Sequence, residues 1–354
     1  MPASPESVSS NAPSRSGSTR VLVVSLSWLG DCVMAMPALM ALRKRLPGVH
    51  IAVLAKPSVA PLWELCTAVD EVIPLKKGVA GMLGTVRAVR RARLDFAYVL
   101  PKSFRAAWIP FLARIPGRRG MPGHGRDWML TEVAPLSEDA EKGHQSLEIA
   151  DVFHIPPGDL VAPPFLTVTA KAKEEVRGRI ADAFGNRGDG VVALFPGAAY
   201  GPSKRWPAER FAEVGRRLAA EKGWRVVVLG TAADRELGEQ VAAGIGAAAV
   251  NWAGQTSFSG LIALLGECRI VLANDSGGMH LAAALGVPVV GIFGMTDPVK
   301  TAPIGPRACV LAAEGIQRSR DLARNSAEAC AAMESISVER VYQAVDSTVR
   351  VSPG

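Results

Sequence analysis

The sequence predicts an α/β protein made of two successive halves, each built around a buried parallel sheet. Its apolar residues arrive in short runs such as VVALF, RVVVLG and VPVVGIFG, which are typical of strands covered on both faces. Helical segments separate these runs, as in alternating α/β folds. Four prolines in PPGDLVAPPF, residues 156–165, mark a break in composition that we interpret as the link between the halves.

The first half alternates strand and helix from residue 20 onward, so its strands are expected to run parallel. The predicted strands are RVLVVSLS, HIAVLAK, EVIPL and FAYVLPKS, with RRGMPG as a further short extended piece. The predicted helices are CVMAMPALMALRKRLP, SVAPLWELC, MLGTVRAVRRARL and RAAWIPFLARI, which follow the four strands in turn.

The second half repeats the alternation after the prolines. Its predicted strands are VVALFPG, RVVVLG, IVLAN and VPVVGIFG, with AVNWAG short and extended. Its predicted helices are AKEEVRGRIADAF, PAERFAEVGRRLAAEKG, RELGEQVAAGI, SFSGLIALLGEC, MHLAAALG and, last, the Ser-capped SVERVYQAVDSTVR. Two such halves enclose a cleft, and ligands bind such sheets beyond the carboxyl ends of the strands. The polar residues that follow each strand are therefore the candidates for function.

The composition excludes several classes of protein. No apolar run approaches the ~20 residues of a membrane-spanning helix. The Ser/Pro-rich residues 1–19 lack the apolar segment of a signal peptide and predict a disordered tail. Five dispersed cysteines without a CxxC pair predict free thiols in a reducing cytoplasm. A net charge of +7 favours an anionic partner, but 6% aromatic residues and the lack of a known motif argue against nucleic acid.

The first candidate for chemistry is Asp31 in SWLGDCVMAMPAL, directly after the first strand. This turn carries only Gly30 where a dinucleotide-binding protein has GxGxxG, so NAD(P) and FAD are disfavoured. A carboxylate at a helix start is stabilised by ~0.3–1 kcal/mol and can cap free N–H groups. The local sequence alone favours a cap, and a catalytic role stays open.

Two segments of the second half predict a phosphate site. In FPGAAYGPSKRWP a glycine-containing loop leads to Lys204 just before a helix, although Walker A is not satisfied and a surface loop is the alternative. In LANDSGGMHLAAALG a strand runs into Asp275, Ser276 and two glycines at a helix start. Successive N–H groups at a helix N-terminus favour a pyrophosphate, whereas a plain tight turn explains the same letters.

Further candidates are weaker. Asp234 and Glu236 in LGTAADRELGEQ suit ribose hydroxyls, or serve only as first-turn charges of a helix. His280 is either a ligand of the donor or a core histidine. The arginines of RIPGRRGMPGHGRDW predict an anion-binding loop at the mouth of the cleft, or a solvated loop. The five histidines show no ligand spacing and no DxD motif occurs, so no bound metal is expected.

Four segments in order carry a resemblance to a known family: WLGDCVMAMPAL, LPKSFRAAWIPFLARIPGRRG, PGAAYGPSKRWPAERFAEV and NDSGGMHLAAALGVPVVGIFG. Over about residues 20–345 the chain resembles the bacterial ADP-heptose:lipopolysaccharide heptosyltransferases of glycosyltransferase family 9, and it is more similar to heptosyltransferase II than to heptosyltransferase I. The resemblance implies a GT-B fold, in which two Rossmann-like domains face each other across a cleft. It also implies an inverting transfer of L-glycero-D-manno-heptose from ADP-heptose to the first heptose of the lipopolysaccharide inner core, with no cofactor.

The resemblance assigns roles to individual positions. Asp31 matches the family's aspartate proposed as general base, and Lys204 matches the lysine on the diphosphate. The other residues expected at the donor are Tyr200, Asp234 or Glu236, Asp275, Ser276, Gly277, Gly278 and His280. The residues expected at the acceptor are Trp28, Lys102, Ser103, Arg118, Arg119 and Arg126.

The implied organisation is a disordered tail (1–19), an acceptor domain (20–165), a nucleotide-sugar domain (166–336) and a C-terminal helix (337–354) that crosses back to the acceptor domain. The implied acceptor is an anionic Kdo2-lipid A bearing one heptose, reached by a cytoplasmic protein in peripheral contact with the inner membrane. The alternatives are a heptosyltransferase I-like or later-core enzyme, an enzyme with another ADP-sugar, and a non-catalytic nucleotide-sugar-binding protein. Asp31, Lys204 and Asp275 together speak against the last.

Overall fold

Two parallel six-stranded sheets form the framework of the computed structural model. The structure describes residues 19–185, 190–318, 323 and 325–350, so residues 1–18 of the predicted tail lie outside it. The strand orders are β3-β2-β1-β4-β5-β6 in the first sheet and β12-β11-β10-β7-β8-β9 in the second. Both sheets therefore repeat one doubly wound order, and the predicted α/β fold with two Rossmann-like sheets is confirmed.

The first sheet and its helices occupy residues 20–153. Its strands are β1 (Arg20–Val24), β2 (His50–Ala55), β3 (Glu71–Pro74), β4 (Phe96–Val99), β5 (Gly117–Gly120) and β6 (Glu132–Val133). Its helices are α1 (Leu29–Arg45), α2 (Ala60–Glu64), α3 (Gly78–Arg91), α4 (Phe104–Leu112), α5 (Glu138–Lys142) and α6 (Gln145–Phe153).

The second sheet follows after a connection between α6 and α7. Its strands are β7 (Val191–Phe195), β8 (Arg225–Val228), β9 (Ala249–Asn251), β10 (Cys268–Asn274), β11 (Val289–Phe293) and β12 (Ala308–Ala312). Its helices are α7 (Ala170–Phe184), α8 (Ala208–Lys222), α9 (Arg235–Ile245), α10 (Phe258–Gly266), α11 (Gly277–Ala284), α12 (Pro298–Thr301), α13 (Ala327–Glu334) and α14 (Val338–Arg350).

Both faces of the central strands are covered, which explains their uninterrupted apolar sequences. Alternate residues of β1 belong to different buried clusters, Val21 and Val23 to one and Leu22 and Val24 to another. Strand β7 divides its side chains in the same way. Because successive side chains of a strand point to opposite faces, a strand buried on both sides needs an apolar residue at every position.

The strand order places the loops after β1, β7 and β10 where a ligand can enter. In each sheet the order reverses between the first and fourth strands, and a crevice opens there beyond their carboxyl ends. Asp31 follows β1 at the crevice of the first sheet, whereas Lys204 and Asp275 follow β7 and β10 at the crevice of the second.

The two halves meet through the starts of α1 and α11. These helices pack against each other, and α1 also contacts α6. A Cβ atom at Gly30 would lie 2.7 Å from Cδ2 of His280, and one at Gly277 would lie 3.3 Å from Cβ of Leu29. The main chain adds a hydrogen bond across the halves, from Phe165 N–H to the carbonyl oxygen of Ala284 at 2.8 Å. Small residues thus allow the two helix starts to approach closely.

The described part of the C-terminal helix packs on the second sheet, which corrects the expectation that it crosses back to the first domain. Helix α14 contacts α8 and strands β10, β11 and β12. Its apolar face, with Val341, Tyr342 and Val345, is buried in the cluster on the outer face of that sheet. Residues 351–354 lie outside the described part of the chain.

We expect Gly30→Ala to lower stability by about 1–3 kcal/mol, because the new methyl group overlaps the buried His280 ring. Gly48→Ala is the matched control, since nothing lies within 4 Å of a Cβ atom there. Thermal and urea unfolding of both variants measure the difference. Equal stability of the Gly30→Ala variant and wild type would contradict this tight contact between the halves.

Candidate active site

Asp31 lies in the first turn of α1 but does not cap it. The N-cap residue is Trp28, which is exposed and makes no side-chain capping bond. Among the described residues, no hydrogen bond or ion pair is found for the Asp31 carboxylate. Burial raises the pKa of Asp31 above its usual range, and the positive charge of Lys204 acts in the opposite direction. The interpretation of Asp31 as a helix cap is therefore wrong. Its carboxylate is partly buried and interacts electrostatically with Lys204 of the other half.

Lys204 forms an ion pair with Asp275 at the crevice of the second sheet. Its Nζ atom donates to Oδ2 of Asp275 at 2.6 Å, and both side chains are largely buried. Nζ also lies 5.5 Å from the centre of the Tyr200 ring. The structure thus brings together Tyr200, Lys204 and Asp275, three of the residues expected at the donor.

Asn274, which was not predicted from the sequence, fixes the loop that carries Lys204. Its buried side chain donates from Nδ2 to the carbonyl oxygen of Pro196 at 2.8 Å and accepts from Trp206 N–H at 3.1 Å. These two bonds join the end of β10 to both ends of the loop between β7 and α8. A buried amide at the end of a strand is a signal that could have identified it, because such a group needs partners.

The start of α11 combines free backbone groups with tight packing. Ser276 is the N-cap residue and makes no side-chain capping bond. A Cβ atom at Gly278 would lie 2.6 Å from the Phe195 ring, so packing alone requires this glycine. The first N–H groups of a helix have no partner within the helix and favour an anion. Ser276, Gly277 and Gly278 therefore offer a place for phosphate next to Asp275.

His280 is buried between the halves and faces Gly30 of α1. Burial lowers the pKa of His280 to about 4, so the ring is neutral at physiological pH. In the described part of the chain its Nδ1 atom has no hydrogen-bond partner. His280 thus lies at the contact between α1 and α11, which favours the core-histidine interpretation over a ligand of the donor. The charges of Lys204 and Asp275 nevertheless act on its ring.

The two acidic candidates after β8 differ in their surroundings. Asp234 forms a capping box with Thr231, whose N–H and hydroxyl donate to Oδ2 at 2.9 and 2.7 Å. Its carboxylate also packs against Gly197, where a Cβ atom would lie 2.3 Å from Oδ1. Glu236 is exposed in the first turn of α9. The Asp234 carboxylate is thus already engaged in holding the loop, whereas that of Glu236 faces solvent.

A cavity of about 400 Å³ lies in the cleft and is lined by both halves. The first half contributes Lys102, whose Nζ donates to Glu148 at 3.0 Å, and the second contributes Lys204. Thr296 of the loop after β11 and Lys300 of α12 also line it. Lys102 and Lys204 therefore face the same space, as expected if acceptor and donor meet there.

The guanidinium groups of Arg118 and Arg119, on strand β5, form their hydrogen bonds with other parts of the protein. Nε of Arg118 donates to the carbonyl oxygen of Met129 at 2.6 Å. The buried Arg119 donates to the carbonyl oxygens of Val152 and Asp151, both at 2.9 Å, and pairs with Glu132. Burial lowers the pKa of both guanidinium groups.

Arg126 is fully buried beneath the loop that follows β4. It donates to the carbonyl oxygens of Pro101, Ser103 and Met121, the last at 2.7 Å, and burial lowers its pKa. These contacts correct the expectation of a ligand-facing basic loop at residues 118–126. Arg126 instead positions the loop that presents Lys102 and Ser103.

A second cavity, of about 650 Å³, lies within the first half and is strongly basic. Its cations are Lys56, Lys76, Lys77 and Arg105, and Ser103 lies on its wall; no acidic residue lines it. These four cations were not predicted from the sequence. They follow β2, β3 and β4, so inspection of every strand end could have found them.

Three observations concern the part of the chain that the structure describes. Within residues 19–185, 190–318, 323 and 325–350, no three His, Cys, Asp or Glu side chains come together in a way that could hold a metal ion. None of the described helices has the length and apolar character needed to cross a membrane. All five cysteines are free.

We expect Arg126→Gln to lower the melting temperature clearly, because several buried carbonyl groups lose a charged donor worth about 1.5–3 kcal/mol per hydrogen bond. Arg105→Gln is the matched control, since Arg105 is exposed at the wall of the basic cavity. The free energy of unfolding of the Arg105→Gln variant should lie within about 0.5 kcal/mol of that of wild type. An unchanged melting temperature for Arg126→Gln would contradict the positioning role.

Comparison with known proteins places these features in a family. The model of glycosyltransferase family 9 (heptosyltransferase) matches residues 82–332. The lipopolysaccharide heptosyltransferase 2 of Escherichia coli is 32% identical over 305 residues, covering 82% of this chain and 87% of that protein. The lipooligosaccharide heptosyltransferase 2 of Haemophilus ducreyi is 32% identical over 310 residues, covering 82% and 88%.

The fold agrees with this comparison. The structure of the ADP-heptose lipopolysaccharide heptosyltransferase II of E. coli superposes with a TM-score of 0.80 at 29% identity, covering 94% of this chain and 99% of that one. The GT-B architecture and the family inferred from the four motifs are thereby confirmed. The chain belongs to glycosyltransferase family 9, the heptosyltransferases.

Proposed function

We propose that this chain transfers L-glycero-D-manno-heptose from ADP-heptose to the first heptose of the lipopolysaccharide inner core, with inversion at the anomeric carbon. The observation that carries the proposal is the packing of the starts of α1 and α11, which brings Asp31 of the first half and the Lys204–Asp275 pair of the second to the same cleft. A base and a diphosphate ligand must face each other in this way if one reaction joins both substrates. The similarity to proteins named heptosyltransferase 2 supports this choice of sugar and acceptor.

The donor occupies the second half in this proposal. Lys204 leaves Asp275 in part to contact the diphosphate, and the first N–H groups of α11 hold phosphate oxygens. Asp275 then lies where it can accept hydrogen bonds from the sugar. Glu236 rather than Asp234 binds the ribose, because the capping box already occupies the Asp234 carboxylate.

The reaction needs one carboxylate to activate the acceptor. Asp31 takes the proton of the acceptor hydroxyl while the oxygen attacks the anomeric carbon. The bond between that carbon and the diphosphate oxygen breaks, and ADP leaves with its electron pair. Lys204 and the start of α11 stabilise the negative charge that develops on the diphosphate, so no second carboxyl group has to protonate it. We propose that this charge stabilisation takes the place of a bound metal.

The basic cavity of the first half suits the acceptor. An inner core carries phosphate and carboxylate groups, and Lys56, Lys76, Lys77 and Arg105 surround a space large enough for several sugar rings. Lys102 and Ser103 on the adjoining loop direct the reacting heptose toward the cleft. Because such an acceptor is anchored in lipid, we propose a cytoplasmic protein in peripheral contact with the inner membrane.

Mass analysis of products tests the reaction. The protein is incubated with ADP-heptose and with lipid A cores that carry zero, one or two heptoses. We expect a single added heptose on the core that carries one. Modification of the heptose-free core instead would indicate a heptosyltransferase I-like activity, and no product with any core would contradict the proposed function.

Asp31→Asn is expected to cut turnover by ~10²–10⁴ while leaving ADP affinity nearly unchanged, because only the proton transfer is lost. Asp182→Asn is the matched control, since this carboxylate is exposed on α7 away from the cleft. A raised pKa means that the charged form of Asp31 destabilises the fold, so Asp31→Asn should not lower the melting temperature. Near-normal turnover of this variant would exclude Asp31 as the base.

A further inference from the structure

Four aromatic rings form a partly exposed patch beside the basic cavity. Phe104, Trp108 and Phe111 lie on one face of α4, and Trp128 of the following short helical turn packs against them. The Trp128 ring lies 5.0 Å from Phe111 and 6.4 Å from Trp108, and Phe104 lies 5.5 Å from Trp108. We call these four residues the aromatic patch. Trp128 is 59% exposed and Phe104 is 42% exposed, so the patch reaches solvent.

Helix α3 carries a second apolar surface near the same cavity. Val79 and Leu83, one helical turn apart, are 74% and 46% exposed. The cavity is lined by Lys77 and Gly78, immediately before Val79, and by Arg105, immediately after Phe104. Exposed apolar residues thus border the basic cavity on two sides. Large exposed apolar groups that are contiguous mark an interaction surface.

The charge around this surface is mostly positive. Residues 72–128 contain twelve Lys or Arg and two acidic residues, Asp95 and Asp127, which gives a net charge of +10 against +7 for the whole chain. Arg119 and Arg126 are buried and Arg118 is half-buried, whereas Arg87, Arg91 and Arg105 are exposed. On α3, Arg87 and Arg91 continue the helical stripe that begins with Val79 and Leu83. The cations that border this surface are those of the basic cavity together with Arg87 and Arg91, whereas Arg90, Arg93 and Arg114 line a different cavity before β4 and β5.

We propose that the aromatic patch and the surrounding cations dock this chain on an anionic lipid bilayer, with the basic cavity opening toward the membrane surface. Tryptophan and phenylalanine are suited to the boundary between headgroups and acyl chains, where an amphipathic surface with flanking Lys and Arg binds. Each basic residue near an anionic leaflet adds to the attraction. The proposal rests on the proposed function, because a lipid-anchored acceptor gives the docking its purpose.

The chemistry of the surface favours a lipid bilayer over a protein partner. A protein interface of this charge needs a matching acidic surface, whereas the acidic residues of the chain are distributed over its other parts. An anionic leaflet offers a continuous negative surface and an apolar layer beneath it. It therefore complements both the cations and the exposed rings at once.

Co-sedimentation with lipid vesicles tests the docking. Vesicles of phosphatidylcholine alone are compared with vesicles that also contain phosphatidylglycerol. We expect the wild-type protein to bind the anionic vesicles and to dissociate as salt is added, because ionic strength screens surface charge. Phe104→Ser combined with Trp128→Ser should weaken binding by about tenfold or more, since two interfacial rings are lost. Arg87→Gln combined with Arg91→Gln should reduce the preference for anionic vesicles.

Leu46→Ser is the matched control, because Leu46 is 42% exposed at the end of α1 remote from the patch. It should bind vesicles as wild type does, and melting temperatures should be similar for all variants. The proposal is overturned if wild type does not bind anionic vesicles, or if the double serine variant binds them as tightly as wild type. Self-association that depends on the patch and persists without lipid would instead make it a protein interface.

A water-soluble acceptor separates this proposal from the proposed function. The double serine variant should transfer heptose to a deacylated core oligosaccharide at the wild-type rate, yet lose activity on the same core embedded in vesicles. Equal losses with both acceptors would overturn the docking role. If wild type uses neither acceptor, the proposed function fails, and the vesicle-binding result still decides the docking proposal.

Discussion

The contact between the starts of α1 and α11 is the constraint on which the rest of the site depends. Gly30 allows α1 to approach the buried His280 ring, and Gly277 allows Leu29 to approach α11. These helices begin directly after β1 and β10, so their contact brings the crevices of the two sheets together. Asp31 and Asp275 follow the same two strands. The first half carries the proposed base and the second carries the place for phosphate, so the two come together only through this contact.

Lys204 connects the two crevices electrostatically. It pairs directly with Asp275 and lowers the pKa of Asp31, which burial otherwise raises. A general base has to be ionised and still be able to accept a proton, so its pKa must be neither too high nor too low. Burial and the Lys204 charge shift the pKa of Asp31 in opposite directions. The position of Lys204 depends in turn on Asn274, which bonds to both ends of its loop. The buried Asn274 amide thus holds in place the Lys204 charge, which acts on both Asp31 and the proposed diphosphate site.

The sequence predicted the sheets well because burial on both faces leaves a clear apolar pattern, as in VVALF. It also singled out Asp31, Lys204 and Asp275 as candidates, because each stands in a segment that follows a strand. It failed for Arg118, Arg119 and Arg126, since adjacent letters do not reveal that carbonyl groups from distant elements accept from buried guanidinium groups. The cations of the basic cavity were missed because they come from three separate strand ends. The expected position of α14 was wrong, because an apolar helix face does not reveal from the sequence which sheet it covers.

The titration of the Asp31 carboxyl group tests the account most directly. Carbon-13 NMR of labelled aspartate, assigned with the Asp31→Asn variant, follows this group in wild type and in Lys204→Met. We predict a pKa above the usual 3.8 for Asp31 in wild type and a further increase in Lys204→Met, because burial remains while the neighbouring cation is lost. A usual pKa that does not change when Lys204 is replaced would contradict the facing arrangement of base and diphosphate site.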